Sequence, residues 1–347
     1  MLSHNNQAII AAAGSRKTQH IIDCVLSEPD QQVLVTTYTN ENLRQIMERL
    51  SAGTGTLPSN VTVLGWFSFL LNECVRPYQS FVLGDVGVVR GLDFIGARPR
   101  FVTKSNPRKY YLDTHSSIYR NGVADFACDA NTLSGGKVID RLARVFDHIY
   151  IDEVQDMAGY DLEFIDLLFQ SPVAITVVGD PRQATYMTNT SNKNSKFRGS
   201  GIGAWLDKRT SRCVIENRVE SYRCNQTICD FADGLYPDLP RTVSMNSEIT
   251  EHDGIFMIKP SEVEKYVDQY SPTILRYSKA TAVQGFSAIN FGVSKGGTFD
   301  RVLIFPPKSM VKFLSSRQPD DVVDKAKLYV AVTRAKYSVA FVIPSRT

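Results

Sequence analysis

Residues 9–19 read IIAAAGSRKTQ and residues 148–157 read HIYIDEVQDM, and these two stretches decide the fold. In the first, an apolar strand breaks at Gly14 and runs through Lys17 and Thr18 into a helix. That is the logic of a phosphate-binding loop: backbone N–H groups at the turn and the helix N-terminus face phosphate oxygens, the lysine neutralises charge, and the threonine hydroxyl can ligand Mg²⁺. Gly14, Ser15, Arg16, Lys17 and Thr18 are the candidate contacts. The pattern departs from the ideal at Arg16, where glycine is expected, and an ordinary strand-to-helix turn is the competing explanation. The second stretch is a buried strand ending in Asp152 and Glu153. Two carboxylates thus emerge at the carboxyl edge of a sheet, where open α/β sheets bind ligands. Asp152 can hold Mg²⁺, and Glu153 can orient and deprotonate an attacking water. The same pair could instead cap the helix that follows.

Outward from these stretches, short β-rich apolar runs alternate with helical patterns, the signature of parallel sheets covered by helices. Strands are expected at 8–13, 32–37, 61–64, 148–152 and 173–179, with helices at 17–26, 41–50, 66–75 and 160–169. Between residue 76 and about 137 the alternation lapses, which marks an insertion. A second series follows residue 203, with strands near 213–216, 255–258, 273–276, 302–305 and 339–343. The expectation is an α/β chain of two domains, 1–205 and 206–347, with an accessory insertion at 76–140. There is no internal repeat or low-complexity tract.

Composition narrows the class. With 43% hydrophobic and 22% charged residues among 347, the chain is neither disordered nor a fibrous or disulfide scaffold. Its 39 basic and 36 acidic residues leave a net charge of +3, so any nucleic-acid site must be local. The six cysteines form no CxxC and the five histidines no ligand pair, which argues against zinc and for a reducing, cytoplasmic setting. No apolar run approaches the roughly 18 residues of a membrane helix. Ala11–Ala13 could pass for a signal-peptide cleavage site, but the apolar core before it is too short and no basic residue precedes it.

Further motifs follow in order: VVGDPRQATY at 177–186, SYRCNQTICDFA at 221–232, VSKGGTFDRVLIF at 293–305 and KLYVAVTRAK at 327–336. Together with VLVTTYTNENLRQIMERL at 33–50 and LGWFSFLL at 64–71, they resemble the UvrD/Rep group of superfamily 1 helicases. The resemblance implies two RecA-like domains of the P-loop NTPase fold. It also implies ATP in the cleft between them, with Mg²⁺, and single-stranded DNA or a tailed duplex as the track, travelled 3′ to 5′. Carried over residue by residue, Lys17, Glu153, Gln183, Arg223 and Arg334 become catalytic, with Gln183 sensing the γ-phosphate and the two arginines stabilising transition-state charge. Gly296 and Thr298 fall at nucleotide-contacting positions, although the family's usual acid is replaced by Thr298. The track would use Thr37, Tyr38, Thr39, Asn40, Trp66, Phe67, Tyr186 and Lys295, aromatic platforms being what sequence-blind strand binding needs. Phe67 also fits a core-facing helix. In the insertion, RPRFVTKSNPRKYY at 98–111 mixes basic and aromatic residues, as a nucleic-acid wedge or as a solvated loop with an aromatic anchor.

Three departures qualify the resemblance. Arg16 could crowd the β-phosphate, point outward or add a cation. The glutamine-containing adenine-reading segment has no counterpart, Gln7 lying too close to the strand. Only residues 227–292 separate SYRCNQ from VSKGG, where typical members insert a whole subdomain. The main expectation is an ATP-dependent DNA translocase that relies on a protein partner. The alternatives are an RNA-directed superfamily 1 motor, or a nucleotide-dependent sensor subunit of a nuclease or antiviral defence complex.

Overall fold

The stretch VLVTT, Val33–Thr37, is buried along its whole length, as suits a β-branched strand covered on both faces. In the computed structural model, which describes residues 6–343, it pairs in parallel with Val61–Gly65 on one side and His148–Asp152 on the other. The sheet continues through Ala174–Gly179 and Gln7–Ala11 to Val214–Arg218. A second sheet runs Gly254–Ile258, Ala335–Val342, Phe299–Phe305, Thr273–Arg276, Ile289–Asn290 and is parallel throughout. The α/β class with parallel sheets flanked by helices is as expected. The outermost ends of the expected domains, 1–5 and 344–347, lie outside the described residues.

Two compact units result. The first comprises the chain up to Ile10, Thr18–Gly179 and Tyr186–Glu216; the second comprises Ala11–Lys17, Asp180–Thr185 and everything from Asn217. Trp66, Trp205, Phe126 and Phe164 are buried in the core of the first, and Phe291, Phe313, Tyr329 and Phe341 in that of the second. Among the described residues no helix is long and apolar enough to cross a membrane, and the six cysteines form no disulfide.

Local structure differs from expectation in two places. The strand expected to open the second series is Val214–Arg218, and it joins the first sheet, Val214 N donating to Asn6 O at 2.9 Å. Local hydrophobic pattern identifies a strand without saying which sheet receives it. The helix expected over 66–75 is α-helical only across Trp66–Phe69 and continues as a π-helical stretch, Leu70–Val75. The insertion contributes a parallel pair, Gly91–Asp93 with Ser117–Tyr119, and a helix, Val123–Leu133, whose Val123, Phe126, Ala127 and Ala130 join the first core.

Trp66 is fully buried there, and its indole N–H donates to Asp161 Oδ1 at 2.8 Å. Burial pushes the Asp161 carboxyl up to about 6, against the hydrogen bonds from Thr188 and Trp66. Unfolded, the same group titrates near 4. The folded chain therefore holds an extra proton between those values, and stability falls as pH rises through that window. An Asp161→Asn variant keeps an acceptor for Trp66 and removes the ionisation. Its melting temperature is expected to change less between pH 5 and pH 8 than the parent's, as read by differential scanning calorimetry.

Candidate functional site

Because the paired strands of the first sheet are parallel, their carboxyl ends share one edge, and the 12–18 loop, the acidic pair, the Thr37–Asn40 turn and the Asp180–Gln183 turn leave the sheet from that edge. The expected phosphate loop follows Gln7–Ala11 and is shaped by two left-handed residues, Gly14 (φ 80°) and Arg16 (φ 61°). Gly14 is demanded by space as well as by φ. A Cβ there would lie 2.7 Å from Ser221 Oγ and 2.8 Å from Arg223 Cβ. The loop is tied to the 218–222 segment by Ala12 N to Arg218 O (2.9 Å) and Tyr222 N to Gly14 O (3.0 Å), while Ala13 N–H reaches the Tyr329 hydroxyl at 3.4 Å.

Arg16 adopts the backbone that a glycine would take there, at a steric cost of roughly 1–2 kcal/mol for an L-residue. The side chain is exposed, and its guanidinium lies over the Tyr222 ring, 4.1 Å from the centroid, in a cation–π stack. Ser15 Oγ is buried without a hydrogen-bond partner among the described residues, as an acceptor-seeking hydroxyl in a phosphate cradle would be.

Thr18, in the first turn of the helix Lys17–Ser27, donates its hydroxyl to Asp152 Oδ2 at 2.9 Å. A hydroxyl and a carboxylate so placed fit a Mg²⁺ ion that takes its remaining ligands from water and phosphate. Among the described residues no three His, Cys, Asp or Glu side chains converge to hold a metal. Glu153 sits next to this pair in left-handed backbone (φ 61°), buried, with Asn42 Nδ2 at 3.5 Å and the Gln155 amide donating closely to its Oε2.

In the second unit, Asp180 accepts from Arg182 N (3.1 Å) and Gln183 Nε2 (2.8 Å), which leaves Gln183 Oε1 to accept from Arg334 Nη2 at 3.1 Å. Arg334 is buried and also donates to Val330 O (3.1 Å) and Gly297 O (3.3 Å). Arg223 Nη1 donates to Thr333 O at 3.0 Å, beside Arg334 in sequence. The structure thus brings Gln183, Arg223 and Arg334 into one network. Gly296 is left-handed (φ 92°), Thr298 is exposed and Lys295 is buried. Arg182, to which sequence reasoning gave no role, is buried between Asp180 (3.1 Å) and Asp233 (2.9 Å) and anchors the turn that presents Gln183.

The strand candidates divide into several groups. Tyr38 meets Tyr186 (5.9 Å) and Phe67 (5.9 Å), and Phe67 meets Phe94 (5.7 Å). In this row Tyr186 is 38% and Phe94 58% exposed, whereas Phe67 is buried behind them. Phe94 was not singled out in the sequence, where nothing distinguishes it from other insertion aromatics. Trp66 offers no ring face to solvent. Thr37 is buried with an unpartnered hydroxyl, Thr39 caps the helix Asn40–Ser51 by accepting from Asn42 N (3.2 Å), and Asn40 is exposed at that helix's start. In the 98–111 stretch, Phe101 is fully exposed while Lys104 is bound by Asp125 and Asp129, both at 2.7 Å, so the latter half is an anchor.

Comparison with known proteins finds likeness in part of the sequence and in the fold. Residues 109–196, which include the acidic strand, Gln183 and Tyr186, match the family model described as UvrD/REP helicase N-terminal domain. The crystal structure of Arterivirus nonstructural protein 10 (helicase) is similar at a TM-score of 0.50 and 15% identity, covering 97% of this chain and 59% of that one. The complex of Arterivirus nonstructural protein 10 (helicase) with DNA gives 0.50 and 14%, covering 98% and 60%. The chain thus spans about three-fifths of the length of these structures, and at such identity the likeness is one of fold. No curated protein matches by sequence.

If Gly14 is held as described, Gly14→Ala is expected to destabilise the chain by about 1–3 kcal/mol, from strained φ plus overpacking against Ser221 and Arg223. Urea unfolding read by circular dichroism measures it, and a midpoint equal to the parent's would mean the loop is not seated on that segment.

Proposed function

We propose that this chain, which carries the UvrD/Rep motifs and shares its fold with helicases, is an ATP-hydrolysing motor that moves 3′ to 5′ on single-stranded DNA and acts with a protein partner. The observation that carries the reading is the hydrogen bond from Thr18 to Asp152, two residues 134 apart in sequence that meet beside a phosphate loop. Ser15 and Lys17 bind phosphate oxygens in this reading, and Thr18 and Asp152 would hold Mg²⁺, which neutralises phosphate charge when bound. Glu153 accepts the proton of the attacking water. Gln183 is fixed by Asp180 and Arg334, so a change in its water or phosphate contact is transmitted to the Arg223–Thr333–Arg334 network. Tyr38 and Tyr186 supply the ring faces on which bases stack, Phe67 and Trp66 backing them from the core.

A second reading is supported by Arg16. Its guanidinium is stacked on Tyr222, away from the glycine-like role its backbone mimics, and a slow nucleotide-dependent sensor of strands follows from a throttled loop.

ATP turnover with and without single-stranded DNA or RNA separates these. A strand-stimulated rate is expected, falling at least about 100-fold in Glu153→Gln, the usual scale for a lost general base, and by a similar factor in Lys17→Ala, which removes a charge from the phosphates. Turnover indifferent to every strand removes the motor reading. Displacement of duplexes with a 3′ or a 5′ tail then reports polarity. Arg16→Gly is expected to raise turnover if the stack throttles it, and equal rates remove the support for the sensor.

A further inference from the structure

The first unit also holds a cavity of about 590 Å³ that none of the roles above uses, a size typical of small-ligand sites. Two of its walls come from chain segments that follow residues of the aromatic row in sequence: Gly96, Ala97 and Arg98 come two to four positions after Phe94, and Thr190–Lys193 four to seven after Tyr186. The walls are tied to each other, Asn121 Nδ2 donating to Thr190 Oγ1 (2.9 Å) and Asn121 Oδ1 accepting from Thr190 N (3.1 Å).

The lining has a consistent chemistry. Tyr110 and Tyr160 supply ring surface, with the Arg98 guanidinium 3.9 Å from the Tyr110 centroid. Arg98 and the half-exposed Lys193 supply positive charge, the latter only loosely paired with Glu163 at 3.4 Å. Ser191 Oγ is buried with no hydrogen-bond partner among the described residues. The one lining acid, Asp125, is occupied by Lys104 Nζ (2.7 Å) and the Tyr110 hydroxyl (3.2 Å), so it does not repel an anion. Next to Asn121, Arg120 keeps a buried Nε that has no hydrogen-bond partner among the described residues, and its charge is felt by the Tyr38 phenol, whose pKa burial raises and Arg120 lowers. The cavity and the row therefore share an electrostatic neighbourhood. Ring faces for a base, cations for a phosphate and uncommitted polar atoms for base or sugar edges are the requirements of one nucleotide.

We propose that this cavity holds a single nucleoside monophosphate unit, supplied by a strand lying along Tyr186, Tyr38 and Phe94 whose nucleotide leaves the stack there. The proposal rests on the strand-binding reading above. A free mononucleotide offers the same chemistry, so the test must tell the two sources apart.

The full chain is titrated by fluorescence polarisation with a labelled single-stranded oligonucleotide and with a set in which one abasic position is moved along it. An abasic site at one register is expected to weaken binding at least about fivefold, the lower end of what a stacked base contributes. Ala97→Trp, which fills the cavity from an exposed loop, and Arg98→Ala are expected to abolish that register dependence while their circular dichroism matches the parent's. If the parent binds no strand at all, the strand-binding reading fails. If the parent binds strands normally but the abasic scan is flat and both variants bind as the parent does, the cavity proposal alone fails. AMP is tested in parallel by thermal shift. A shift lost in Ala97→Trp, combined with a flat abasic scan, overturns the strand as the source.

Discussion

Parallel pairing is the constraint from which the rest of the structure follows. Val33–Thr37, His148–Asp152, Ala174–Gly179 and Gln7–Ala11 are held in one direction by their registers, with Asp152 opposite Val178 and Ile10 opposite Gly179. Every chain exit on that edge is then a candidate functional loop, and residues far apart in sequence arrive together without further design. The phosphate loop, the acidic pair, the Thr37–Asn40 turn and the Asp180–Gln183 turn all leave from it. Strain concentrates there too: Gly14, Arg16 and Glu153 are all left-handed within a residue or a few of strand ends.

Much of this was legible because the signal is local. A β-branched run bounded by a glycine or by acids declares a buried strand, so His148–Asp152 and Thr273–Arg276 fall where the pattern places them. Tyr160–Phe169 does likewise for a helix. The candidate site was marked out for a different reason, since phosphate and metal chemistry restrict residue type at each motif. What escaped depends on partners. Val214–Arg218 reads as a strand, but its sheet is decided by Asn6 and the edge beside Gln7–Ala11. Trp66 has the composition of a platform, yet Asp161 and Phe164 draw it into the core. Phe94 owes its place in the row to a ring contact with Phe67, which no spacing encodes.

Buried charge in the second unit is organised rather than avoided. Arg182 lies between two carboxylates, and Asp180 serves it and Gln183 at once. Removing any one partner would strand a buried charge, so the network holds its geometry more firmly than its net contribution to stability suggests. Such an arrangement suits a turn whose task is to keep one amide oxygen aimed at one guanidinium.

The stack of Arg16 on Tyr222 has a thermodynamic reach beyond its own contact. A ligand that draws the guanidinium toward itself must first dissolve an interaction of about 0.5–1 kcal/mol, which lowers its apparent affinity roughly two- to fivefold. For any ligand that recruits Arg16, an effect of that size moves the concentration needed for binding and does not bar it.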